Sequence, residues 1–108
     1  MCWHRPFFII PDFFKKKIIT NLIDEFGFEM VVVLLDLICH IRAGEDNEII
    51  YNEELILDID NDLGIYDVEK TKSLIGLIIK DESIIDTDRF KRAGRLRLAN
   101  DEFVKEAI

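Results

Sequence analysis

Residues 52–79 read NEELILDIDNDLGIYDVEKTKSLIGLII, and their reading decides the fold. Asn52 is a side-chain cap for a helix that turns Leu55, Ile56, Ile59 and Leu63 inward and Glu53, Glu54, Asp58 and Asp62 outward. Apolar residues three and four apart mark one buried helix face. Gly64 stops this helix, and Asp67 caps a second one with Val68, Thr71, Leu74, Ile75, Ile78 and Ile79 inward. Two short helices joined by a turn at Gly64-Ile65 read as a helix-turn-helix.

Downstream, residues 83–90 and 95–98 predict two short strands around Ala93-Gly94. The second alternates, with Arg95 and Arg97 outward and Leu96 and Leu98 inward. A helix-turn-helix followed by such a hairpin is a helix-turn-helix with a wing. Asn100 then predicts a cap for a last helix over residues 101–107. Upstream, residues 48–51 predict a short strand after a turn at Asp46-Asn47. Residues 28–41 are apolar nearly all round, and Val31-Val32-Val33 favours a strand on propensity alone. Length argues for a helix instead, as does the spacing of Asp36 and His40, one helical turn apart. Asp12 caps a first helix in which Phe14, Ile18, Leu22 and Phe26 recur every four residues, and Gly27 ends it. The expected fold is mostly α with a small β-hairpin wing, a single winged helix-turn-helix domain over residues 1–108. Its expected core is Phe14, Ile18, Leu22, Phe26, Leu34, Leu37, Ile38, Leu55, Ile59, Leu74, Ile75 and Ile78.

The bulk numbers agree with one globular domain: 108 residues, 49% hydrophobic and 33% charged. Net charge is −8, unevenly placed. Residues 43–69 hold ten acidic side chains and no Lys or Arg, whereas residues 70–108 hold nine basic and seven acidic ones. The middle of the chain repels a phosphate backbone, and only the last third attracts one. Neither a secretory signal peptide nor a stretch long enough to span a bilayer is expected, since spanning takes about 20 apolar residues. The expected setting is cytoplasmic, without a membrane partner.

The order of these segments resembles the winged-helix domain at the N-termini of phage replication proteins, the replisome organisers and their relatives. Four stretches carry the resemblance. They are Phe7-Phe8 with Pro11-Asp12-Phe13-Phe14, residues 17–28, residues 55–64 with 68–85, and residues 94–100. The resemblance implies a DNA-binding module of a phage or prophage replication or regulatory protein. It does not imply an enzyme.

The residues themselves offer two binding surfaces. Lys70, Lys72, Ser73 and Lys80 lie on or at the end of the second helix of the pair, and Arg89, Lys91, Arg92, Arg95 and Arg97 lie in or beside the wing. Lysine and arginine neutralise phosphates, and arginine reads guanine edges, so this set is the candidate DNA surface. The alternative is an acidic protein-interaction module, a phage-encoded adaptor or inhibitor, in which Glu53, Glu54, Asp58 and Asp62 dock a basic protein partner.

Other constellations fall short on spacing. Asp58, Asp60, Asp62 and Glu69 match ligand positions of a calcium loop, but Leu63 stands where the turn needs glycine, with Gly64 one residue late. Cys2, His4, Cys39 and His40 lack the paired spacing of zinc ligands. Adjacent Cys39 and His40 diverge on a helix and make no nucleophile–base dyad. No phosphate-binding glycine loop is present. No metal, cofactor, small-molecule substrate or disulfide is expected. Trp3, Phe7 and Phe8 are expected to anchor the N-terminal arm.

Overall fold

Gly27 is the only residue between the first two helices. α1 runs Lys17–Phe26 and α2 runs Phe28–Ala43, and Gly27 sits at φ 86° between them. A side chain there would be strained, so the glycine allows the chain to reverse within one residue. The computed structural model describes residues 7–9, 13–99 and 104–106. The Asp12 and Asn100 caps, Trp3, Cys2 and His4 lie outside them, as do the side chains of Phe7, Phe8 and Phe14. The first helix starts later than its periodicity suggests. Phe13–Lys15 form a 3₁₀ turn, and Lys16 stands at the helix start without a side-chain cap.

α2 is the central helix. Met30, Val31, Val33, Leu34, Leu37, Ile38 and Ile41 are all buried on it, and it packs against α1, α3 and α4. The three valines therefore sit in a helix: burial on several faces outweighs a strand preference worth only about 1 kcal/mol. Asp46 and Asn47 turn the chain at positive φ (59° and 58°), a conformation these two side chains tolerate. α3 runs Glu53–Leu63, capped by Asn52 Oδ1 accepting from Leu55 N at 2.9 Å. α4 runs Val68–Ile79, capped by Asp67 Oδ1 accepting from Lys70 N at 3.1 Å. Asp60 ties the two together. Its buried Oδ1 accepts from Asp67 N at 3.0 Å and from Thr71 Oγ1 at 2.8 Å.

The region expected to be a strand pair is organised differently. Only Ile85 of residues 83–90 makes a ladder contact, opposite Leu98. Thr87–Ala93 instead form a helix, α5. Its local chemistry explains this. Asp86 caps it by accepting from Arg89 N at 3.1 Å, Asp88 lies in the first turn, and Lys91 and Arg92 lie in the last. Acid at the start and base at the end both suit the helix dipole. After Gly94, β3 (Arg95–Leu96) pairs antiparallel with β2 (Ile49–Ile50), Ile49 opposite Leu96 and Ile50 opposite Arg95. Backbone bonds from Asp86 N to Arg97 O (2.8 Å) and from Ala99 N to Ile84 O (2.9 Å) hold the other side. Residues 95–98 thus lie between 49–50 and 84–85.

The expected final helix is also corrected. Within residues 101–107, Val104–Glu106 form a strand, β4, paired antiparallel with β1 (Phe7–Ile9). The strand pairing joins opposite ends of the chain, so no local pattern announces it. The core is one cluster in which Leu22, Leu34, Leu37, Ile38, Leu55, Ile59, Ile75 and Ile78 are buried as expected. Ile18 and Leu74 are partly buried at its margin, and Phe26 is exposed. Phe13, Ile19, Ile56, Ile79, Ile84, Ile85 and Leu96 join it, together with Met30, Val31, Val33 and Ile41 of α2. Among the described residues no helix is long and apolar enough to cross a membrane.

Candidate nucleic-acid interface

Glu48 organises the basic region. Gly44 lies close enough that a Cβ there would run into the Glu48 carbonyl, so only glycine permits this approach of the α2 terminus to the strand. Glu48 itself is 6% exposed and sits just before β2. Three guanidinium groups meet its carboxylate. Arg89 of α5 donates from Nε to Oε2 at 3.0 Å and from its terminal nitrogen to Oε1 at 2.8 Å. Arg97 reaches Oε2 at 2.9 Å, and Arg95 Nε lies 3.7 Å from Oε1. Alternation along the strand puts Arg95 and Arg97 on one face, and that face is turned to Glu48. Arg89, then Arg97 and Arg95, hold the Glu48 carboxyl below its usual range against the opposing effect of its desolvation. Glu48 in turn raises Arg89.

The knot carries one negative and three positive charges. The arginines remain 34%, 40% and 43% exposed while their common partner is covered. Excess positive charge is therefore presented outward by a fixed group. Lys91 and Arg92 are exposed on neighbouring α5, and among the described residues no ion pair holds them. The expected wing residues are thus brought together, but on a helix and a strand around a buried carboxylate. Sequence reading missed Glu48 because it lies in the acidic run and far in sequence from its partners.

The α4 residues do not join this group as free charges. Lys70 reaches Glu29 of α2 at 2.8 Å, which raises the Lys70 pKa, and Lys72 lies 3.6 Å from Glu53 of α3. Ser73 and Lys80 are exposed, Lys80 at the end of the helix. The acidic set is divided as well. Glu53 faces Lys72, Glu54 and Asp58 line a cleft with Arg95, and Asp62 reaches His40. The calcium-loop spacing is taken apart by the same helix: Asp60 is turned inward to Thr71 and Asp62 toward α2.

A second cluster joins α2 to α3. His40 Nε2 lies 2.9 Å from Asp62 Oδ2 and 3.5 Å from Asp36 Oδ2. Asp36, then Asp62, raise the His40 pKa to about 9 despite its partial burial. Burial raises Asp36, which shares this imidazolium with a second carboxylate. Asp62 is lowered: desolvation pushes it up, but its bonds to His40 and Asp36 and the His40 charge together outweigh that effect. The one-turn spacing of Asp36 and His40 was visible in the sequence; the arrival of Asp62 from another helix was not. No family model, curated protein or solved structure matches the chain.

Proposed function

We propose that this chain is a winged-helix module of the phage replication-protein kind, acting in the cytoplasm and contacting the phosphate backbone of DNA through the Glu48-centred arginines and α5. The observation that carries this reading is the path of the chain. Residues 49–50, the helix pair α3 and α4, residues 84–85 and the returning strand 95–98 follow one another, with the last lying between the two earlier strand segments. A wing packed beside a helix-turn-helix would need such a strand order, with α5 taking the place of the wing's loop, and this supports the reading. Basic residues are concentrated on that returning strand and on α5. Arginine held in place by a buried carboxylate loses less freedom when it meets a phosphate, which favours contact.

Fluorescence anisotropy with a labelled duplex at low salt tests the reading. Binding that disappears in Lys91→Glu/Arg92→Glu and weakens with added salt supports it. No binding to any duplex or single strand by the folded chain overturns it. The acidic alternative then takes its place, because Glu54 and Asp58 remain exposed beside the cleft at Arg95.

A further inference from the structure

We propose that Asp36, His40 and Asp62 form a binding site for a divalent transition-metal ion of the zinc type, clamping α2 to α3. The donor set is one imidazole nitrogen and two carboxylate oxygens, all within 4.8 Å of one another. Ligands about 2.0–2.1 Å from a tetrahedral ion lie roughly 3.3 Å apart. The 3.5 Å separation of His40 Nε2 and Asp36 Oδ2 already fits, and the 2.9 Å separation from Asp62 Oδ2 needs to open by only a few tenths of an ångström. Asp36 and His40 project from consecutive turns of the most buried helix in the domain, beside Leu37 and Ile41, which are fully covered. Asp62 comes from α3, which packs on α2. The ligand positions are thus set by the core.

Asp36 Oδ2 is covered from solvent and meets His40 Nε2 only at 3.5 Å, longer than a good hydrogen bond, so an ion bound by both would replace a weak contact with two short ones. Asp62 is 47% exposed, so the cluster opens to solvent on one side and leaves room for entry and for a water as fourth ligand. The mixture of imidazole and carboxylate selects Zn²⁺, Co²⁺ or Ni²⁺ over Ca²⁺ and Mg²⁺, which want more oxygen ligands. Metal ligands must shed their protons, so binding is tighter at pH 8 than at pH 7.

Calorimetric titration of the full chain with ZnCl₂ at both pH values, after chelator treatment, is the test. The expected result is one ion per chain, tighter at the higher pH, and a melting temperature that rises with Zn²⁺. Asp62→Asn, a change at a partly exposed position, should abolish binding while leaving the circular dichroism unchanged, and His40→Asn should do the same. Cys2→Ser/Cys39→Ser should bind as the parent does, and the Co²⁺ adduct should lack thiolate charge-transfer bands. Binding that survives in folded Asp62→Asn, or is lost with the cysteines, overturns the site. So does absence of binding at sub-millimolar Zn²⁺.

Discussion

At the scale of single residues, three buried or half-buried polar groups have well-defined partners. Thr71 is fully buried, and its hydroxyl donates to Asp60 Oδ1, which also receives Asp67 N. Thr71→Val keeps the shape and removes that donor. It is expected to cost about 1–3 kcal/mol in chemical denaturation, the usual cost of leaving a buried polar group short of a partner. His40 behaves differently because its partners favour the charged form. Its pKa is raised from 6.5 to about 9 on folding. The folded state therefore binds this proton more tightly. The stabilisation is complete below about pH 6.5 and is lost as pH rises toward 9. In metal-free buffer, the melting temperature should fall over that interval, and His40→Asn should flatten the fall. A parent curve that stays level from pH 6.5 to 9 would count against the charged bridge. Glu48 is the third such group. Glu48→Gln removes the charge on which Arg89, Arg95 and Arg97 converge, so it should lower the melting temperature and loosen the three side chains together.

Among the elements, α2 and α5 are the two that test different physics. α2 is held by burial. Leu37→Ala should cost about 2–5 kcal/mol, the range for a large core side chain cut to alanine, measured by urea unfolding. α5 has seven residues, too few to be helical by itself, and it depends on its ends. Asp86→Ala should cost roughly 0.5–2 kcal/mol through the lost cap and should also disturb Arg89, whose backbone N–H that cap receives. The contrast explains what was legible beforehand. The helix pair and α2 could be read because caps and apolar periodicity are written over ten residues or more. α5 was misread as a strand because Phe90 and its neighbours gave no long period, although Asp86, Asp88, Lys91, Arg92 and Gly94 together spelled a capped short helix. β4 could not be read at all: three residues become a strand only by meeting Phe7–Ile9, and pattern within a window does not report a partner nearly a hundred residues away. The candidate site followed the same rule. The basic residues could be named as types, but the carboxylate that three of them share, Glu48, was hidden by distance along the chain.

For the molecule as a whole, the question is whether a chain of net charge −8 can meet DNA at all. At physiological ionic strength charges more than about 8 Å apart are largely screened from each other, so the charges nearest the contact count for more than the total. Of the nine basic-region candidates, Lys70 and Lys72 are committed to carboxylates of α2 and α3, and three arginines share Glu48. Lys91 and Arg92 are the exposed cations of α5, beside the arginine knot. If these two carry most of the phosphate contact, log K should fall with log salt at a slope near −2, from roughly 0.9 per phosphate neutralised. Replacing both with Glu should remove binding and barely move the melting temperature, because exposed charges contribute little to stability. Replacing Arg95 and Arg97 with Glu is a different experiment: it sets like charges around the covered Glu48 and should destabilise the fold as well as binding. Glu53→Gln works in the opposite direction. It removes a negative charge and frees Lys72, so affinity should rise and the salt slope should steepen toward −3. A titration series at several salt concentrations for the parent, Lys91→Glu/Arg92→Glu and Glu53→Gln separates these effects. If Glu53→Gln leaves the slope unchanged, α4 does not face the phosphates and contact is confined to α5 and the strand beside it. If the parent binds with no salt dependence, the backbone is not what is recognised, and the electrostatic reading fails for the whole surface.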